Sequence, residues 1–227
     1  MSVVYDRAAS VVQRIFDRRV EGPPVLDVKS HFPGAEQFVK AWQEIRDEAL
    51  AVAAGLRSVP RLHEIMREQA DISANDGRDW RVFMLKAYGI EHPQNMGRCP
   101  ILAALISGTP DVLSASISFL APGKHVPLHR GPFRGVLRFH LGLCMPTSED
   151  GTPVAVLKIA SAEYRIADGE CLLWDDTYPH EVWNSSDQVR AALLLDVRRR
   201  HLPVDMEVFS KLLIATIRAG IRLRGFS

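Results

Sequence analysis

From about Trp80 to Val197 the chain is written in short apolar or alternating runs separated by turn residues: "WRVFMLKAYG", "LSASISFLAPG", "GVLRFHLGLCMP", "VAVLKIASAEYRIADGECLLWDD" and "VRAALLLDV". Short strands at such spacing predict a barrel or jelly roll, because each strand buries one face and needs a facing sheet to cover it. Upstream the period changes. In "GAEQFVKAWQEIRDEALAVAAGL" the residues Phe38, Trp42, Ile45, Leu50 and Val52 recur near helical spacing with charges between them, which predicts an amphipathic helix covering a sheet. Pro-bearing connections, "EGPPVLDVKSHFPG" and "SVPRL", flank it. The tail "SKLLIATIRAGIRLR" predicts a terminal helix with Lys211, Arg218 and Arg222 close together on its wheel and Leu212, Leu213, Ile214, Ile217 and Ile221 around the rest. Such a helix packs on its own domain, the commoner case, or rests on an anionic membrane surface.

Alternation assigns the faces of two strands. Across Val136 to Leu143 it sets Leu137, Phe139, Leu141 and Leu143 on one face and Arg138, His140 and Gly142 on the other. In "VRAALLLDV" it sets Arg190, Ala192, Leu194 and Asp196 opposite Val189, Ala191, Leu193 and Leu195. A charge inside an apolar strand needs a partner, since burying it alone costs several kcal/mol. Arg138 and Arg190 therefore call for anions, either resident aspartates (Asp196, Asp175 or Asp176) or a bound one.

The 227 residues, 47% apolar and 24% charged, suit one sizeable core, and a formal charge of +1 argues against a nucleic-acid binder driven by bulk electrostatics. Cys99, Cys144 and Cys171 share no paired spacing, so neither a disulfide scaffold nor a thiolate zinc cage is expected, and a reducing, cytoplasmic location fits. Asp6, Arg7 and Arg14 interrupt the opening where a signal peptide would be apolar, and no segment reaches the length of a membrane span.

The densest chemistry lies in "HVPLHRGPFRGVLRFHLGL", His125 to Leu143. A non-heme iron(II) site takes two histidines and a carboxylate, commonly as His-x-Asp/Glu with a second histidine several strands later. His129 has a partner 51 positions on in His180, but Arg130 and Gly131 follow it, so the carboxylate is missing. The residues alone leave open a metal centre or two structural histidines. His125 lies four before His129, but Pro122, Pro127 and Pro132 argue against a helix there, which makes it structural or a pocket wall. His31, His63, His92 and His201 lie outside these motifs, and Trp174 and Trp183 are expected to pack around the second histidine.

The succession "HRGPF", "LRFHLGL", "GECLLWDDTYPHEVWNSS" and "VRAALLLDV", within about Ser118 to Val197, resembles the aspartyl/asparaginyl β-hydroxylase family, which includes bacterial relatives acting on lipid A acyl chains. Weaker similarity extends through "DWRVFMLKAYG" and "CPILAAL". The resemblance implies a mainly β, double-stranded β-helix (a cupin-like jelly roll) with N-terminal helices packed on the sheet and a C-terminal helix. The divisions expected are a helical preface at 1–75, the catalytic core at 76–200 and the terminal helix at 201–227. It also implies Fe(II) held by His129 and His180, with water in place of the carboxylate, since the aspartyl branch carries His-x-Gly. By the same resemblance Arg190 and Ser118 hold the far carboxylate of 2-oxoglutarate, and Arg138 and His140 stand near its metal-bound end.

The implied activity is a dioxygenase that hydroxylates an unactivated carbon, foremost the β-carbon of an Asp or Asn residue, free, carrier-bound or peptidyl. Arg130, Arg134 or Lys124 would then meet the substrate carboxylate. Three alternatives stand beside it: a lipid A acyl-chain hydroxylase, with peripheral membrane contact through the C-terminal helix; a halogenase with chloride at the carboxylate's position; and a non-catalytic jelly-roll binding protein. Asp175 and Asp176 are expected to orient water or His180.

Overall fold

The computed structural model of the chain describes residues 3–224. Helices α1 (Val3–Arg19), α2 (Val28–His31), α3 (Ala35–Lys40), α4 (Trp42–Ala53), α5 (Leu62–Ile65) and α6 (Ala70–Ser73) come first, with a short strand β1 (Val25–Leu26) after α1. Strands β2 (Trp80–Ala87) and β3 (Ile90–Glu91) precede helices α7 (Pro93–Arg98) and α8 (Pro100–Ser107). Then follow β4 (Val112–Leu120), β5 (His125–His129), β6 (Val136–Cys144), β7 (Val156–Ile159), β8 (Ala162–Tyr164), β9 (Cys171–Trp174), β10 (His180–Trp183), β11 (Arg190–Arg198) and the terminal helix α9 (Val204–Arg224).

The strands form two antiparallel sheets, ordered β1-β9-β6-β11-β4-β2-β3 and β5-β10-β7-β8. Between β4 and β11 the chain passes repeatedly from the larger sheet to the smaller and back, which is the winding of a double-stranded β-helix. The apolar face of β6 is buried as alternation requires: Leu137, Phe139, Leu141 and Leu143 are fully inaccessible and join Leu193, Leu195, Ile117 and Phe119 in the main core. The opposite face of the same strands looks toward the smaller sheet. Gly142 sits on that face because an added Cβ would lie 2.2 Å from the backbone oxygen of Ala167.

The long helical pattern is two helices. Ala41, at φ −97° and ψ 20°, separates α3 from α4. The stripe that covers the sheet is Phe38, Ile45, Ala49 and Val52, packed with Leu137 and Phe139. Leu50, expected in that stripe, is 46% exposed, because from Ile45 the buried positions run four and seven residues on and Leu50 falls between them.

The two positions predict opposite results in urea denaturation. Phe139→Ala should lower the unfolding free energy by about 3–5 kcal/mol, whereas Leu50→Ala should stay within about 0.5 kcal/mol of the parent.

Candidate active site

The pocket lies between the two sheets. Ser118, Arg138, His140 and Arg190 enter from the larger sheet and His129 and His180 from the smaller, with Trp80, Trp174 and aliphatic side chains closing the walls.

His129 and His180 are direct partners across the antiparallel pair β5–β10, and their ring centroids are 4.0 Å apart. A bulge makes this possible. Going back from that pair, Val126 faces Val182, so Pro127 and Leu128 together oppose Glu181 alone. The extra residue changes the parity of β5, and His129 and Val126 both line the pocket while His125 does not. His125 instead stacks on Trp183 at 4.9 Å with its Nε2 3.5 Å from Glu181, the structural one of its two expected roles and not a pocket wall.

Backbone carbonyls fix both tautomers. His129 Nδ1 lies 2.8 Å from the oxygen of Pro127, and His180 Nδ1 lies 2.9 Å from that of Tyr178. A carbonyl only accepts, so each Nδ1 carries the hydrogen and each Nε2 presents a lone pair. Burial lowers the pKa of both rings. In His180 the neighbouring His129 adds to burial and brings the value to about 3. Trp174 stands edge-on to His180 at 4.5 Å.

Two guanidiniums, Arg190 buried and Arg138 partly buried, face the pocket in different states. Arg138 donates to Asp196 at 3.0 and 2.8 Å and lies 3.4 Å from Asp176, and these acids raise its pKa against burial. Arg190 is 3% exposed and forms no ion pair among the described residues. Its Nη2 meets His140 Nε2 at 2.5 Å, and its Nε has no partner. Burial, with Arg190 and Arg138 nearby, keeps His140 neutral, so that Nε2 accepts the Arg190 hydrogen. Burial brings Arg190 down to about 10, which leaves it cationic at neutral pH. Ser118 Oγ accepts from Trp80 Nε1 at 3.0 Å and keeps its own hydrogen to donate.

The space that a side chain at Gly131 would take is filled from another loop. A Cβ there would lie 2.1 Å from Asp176 Oδ1, and the Gly131 N–H donates to the Asp176 carbonyl at 2.7 Å. Burial first, then Asp196 and Asp175, push the Asp176 carboxyl up to about 7 although Arg138 pulls the other way. Asp175 is spent elsewhere, on Arg199 at 2.6 Å, Arg134 at 3.1 Å and the Thr177 hydroxyl.

Residues 39–200 match the family model described as Aspartyl/Asparaginyl beta-hydroxylase. The chain belongs to the aspartyl/asparaginyl beta-hydroxylase family. An ornithine lipid ester-linked acyl 2-hydroxylase of Rhizobium tropici is 35% identical over 178 residues, 78% of this chain and 61% of that protein. The human aspartyl/asparaginyl beta-hydroxylase is 31% identical over 190 residues, 75% of this chain and 23% of that protein. The chain thus spans less than two thirds of either relative. A Pseudomonas putida prolyl-4-hydroxylase structure overlays with a TM-score of 0.43 at 15% identity, covering 85% of this chain and 99% of that one.

For a member of the beta-hydroxylase family, this donor set fits a divalent metal: two neutral, oriented imidazoles with free Nε2 atoms. Among the described residues no group of three His, Cys, Asp or Glu side chains could hold a metal. The pocket also fits an oxygen-rich acceptor, since Arg190 Nε and Trp174 Nε1 are buried donors without partners. Two features escape sequence reasoning: the Trp80 bond to Ser118 and the open Trp174 N–H. A tryptophan's ordinary role in packing hides both.

Two measurements check this geometry. Gly131→Ala should destabilise by about 1–3 kcal/mol, and an Asp176→Ala background should remove most of that loss in thermal melts. In NMR of the metal-free protein the His180 ring should stay neutral from about pH 8 to about 5, whereas an ordinary histidine passes its midpoint near ~6.5.

Proposed function

We propose that the protein is an iron(II)- and 2-oxoglutarate-dependent hydroxylase of an unactivated carbon. The observation that carries this reading is a buried, unpaired guanidinium, Arg190, in the same pocket as two facing neutral imidazoles. His129 and His180 would hold the iron. Iron(II) with 2-oxoglutarate supplies the oxidising power to replace C–H by C–OH, the co-substrate leaving as succinate and carbon dioxide. Arg190 and the Ser118 hydroxyl would bind the far carboxylate, with His140 fixing the plane of the guanidinium. Arg138, whose charge is felt by both histidines, would stand at the metal-bound end. Leu120, Val126, Leu157 and Val182 keep the pocket apolar and exclude idle water.

For the substrate, a lipid acyl chain is favoured over an aspartyl side chain. Of the three cations expected to meet a substrate carboxylate, Lys124 is wholly buried and bound to Ser73, Asn75 and Asp76. Arg134 is bound to Thr177, Val20 and Asp175. The Rhizobium relative, named for an acyl chain, points the same way. The aspartyl reading keeps one supporting feature, Arg130, which is exposed and donates to the Thr177 carbonyl at 3.0 Å, with no ion pair among the described residues. A halogenase is disfavoured because the Asp176 carboxyl already fills the space beside Gly131.

His129→Ala and His180→Ala should each abolish iron-dependent succinate formation, and Arg190→Ala should raise the KM for 2-oxoglutarate about a hundredfold. An unchanged KM would remove Arg190 from the site. Arg130→Ala separates the substrates: acyl turnover, read by mass spectrometry as gain of one oxygen, should be unaffected, whereas an aspartyl substrate should lose affinity.

A further inference from the structure

Helices α1 and α9 leave an apolar face uncovered. Ten large hydrophobic side chains are exposed among the described residues, and six lie on these two helices: Val11 and Ile15 on α1, and Val204, Val208, Leu212 and Leu223 on α9. α9 is apolar on two opposite sides. Met206, Phe209, Leu213, Ile214 and Ile217 close on Phe16 and Phe133, which is the packing expected of a terminal helix. On the other side Val204, Val208, Leu212, Ala215, Ala219 and Leu223 follow one another at spacings of three and four, the repeat of a single face, and all are exposed.

The two stripes border one seam. Arg19 of α1 pairs with Asp205 of α9 at 2.9 Å, each side chain 54% exposed, so the bridge marks the outer junction of the helices. Ile15 stands one turn before Arg19 and Val208 nearly one turn after Asp205, which puts both stripes beside the bridge on the outer side. Arg14, Arg18 and Arg222 are exposed near the stripes and form no ion pair with any described residue. Arg14 and Arg18 follow Val11 and Ile15 by three positions, so a cation flanks each apolar side chain of α1.

We propose that α1 and α9 together dock the protein on an anionic phospholipid bilayer, lying in the plane of the interface with their apolar stripes at the acyl boundary and Arg14, Arg18 and Arg222 at the phosphates. A second copy is the poorer occupant, because an anionic surface answers these arginines directly, whereas burying them in a dry protein interface costs several kcal/mol each unless acids meet them. No described helix is long and apolar enough to cross the membrane, so the contact is peripheral. The face adjoins the pocket through the loop that leaves His129: Phe133 packs on Phe16 at 5.5 Å, and Arg134 reaches Asp17 of α1 and the Val20 carbonyl just after it. Docking goes beyond the hydroxylase reading and does not depend on it.

Flotation of the full chain with vesicles tests it. The protein should float with phosphatidylcholine vesicles containing phosphatidylglycerol, not with phosphatidylcholine alone, and should be released as salt rises. Val208→Asp with Leu212→Asp should lower the partition by about tenfold or more while the Tm stays unchanged, since both side chains are exposed. Arg18→Glu with Arg222→Glu should lower it by about tenfold on anionic vesicles. No flotation with anionic vesicles overturns the proposal, and so does equal flotation with neutral ones. A wild-type dimer in light scattering that Leu212→Asp converts to monomer also overturns it. Because binding is read without turnover, a protein that floats but forms no succinate leaves docking intact and removes only the hydroxylase reading.

Discussion

Burial of a cation without an anion is the condition around which the pocket is organised. On the inner face of the larger sheet, Arg138 faces Asp196 directly across β6 and β11 and meets Asp176 from the loop ahead of β10, so its charge is cancelled within the fold. Arg190, six residues from Asp196 along the same strand, meets only a neutral imidazole. Taking a guanidinium out of water costs several kcal/mol unless a counter-charge arrives. The His140 contact does not supply one; it holds the guanidinium in place and leaves Nε without a partner. A cation so placed fits an anionic ligand, and the neutral histidine pair lines the same pocket.

Much of this was legible in the order of residues. Arg138, His140, Arg190 and Asp196 stand together because strand residues two apart share a face, and that rule needs no knowledge of the partner strands. The same rule fails on β5. By parity alone His125 and His129 would point the same way, yet the bulge opposite Glu181 sends one to Trp183 and the other to His180. A bulge is fixed by how two strands meet, and nothing in "HVPLH" shows it beyond a proline that lacks a ladder hydrogen. Acid partners were equally illegible. Asp175, Asp176 and Asp196 were interchangeable as text, and only the fold gives the first to Arg199 and Arg134 and the other two to Arg138. The helix over 34–56 shows a third limit, since the turn at Ala41 breaks a pattern whose composition is helical throughout.

After His129 the chain has no carboxylate at position 131, and the space such a side chain would take is filled by Asp176 from another loop. Where a side chain at 131 would reach, Asp176 already lies, and the glycine's bare Cα and N–H are what admit it. The acid then belongs to the β9–β10 loop, whose neighbouring Asp175 is clamped by Arg199 and Arg134. Burial and nearby acids hold Asp176 near a neutral-pH midpoint, so this carboxyl differs in charge as well as in origin from a carboxylate committed to a metal.

That clamp also joins the pocket to the outside of the molecule. Arg134 binds Asp175 and Thr177 beside the second histidine, lies over the Tyr178 ring at 5.0 Å, and reaches Asp17 of α1 and Val20 just after it, while Tyr178 itself donates to the Gly22 carbonyl at 2.6 Å. Phe133, one residue earlier, sits in the cluster shared by α1 and α9. The loop between β5 and β6 and the paired helices therefore pack together. Contacts from this unit reach Asp175 and Tyr178, and the Tyr178 carbonyl holds the tautomer of His180. The helices that expose an apolar face thus also steady the ring that would hold the metal, so a surface contact and the order of the site share the same few side chains.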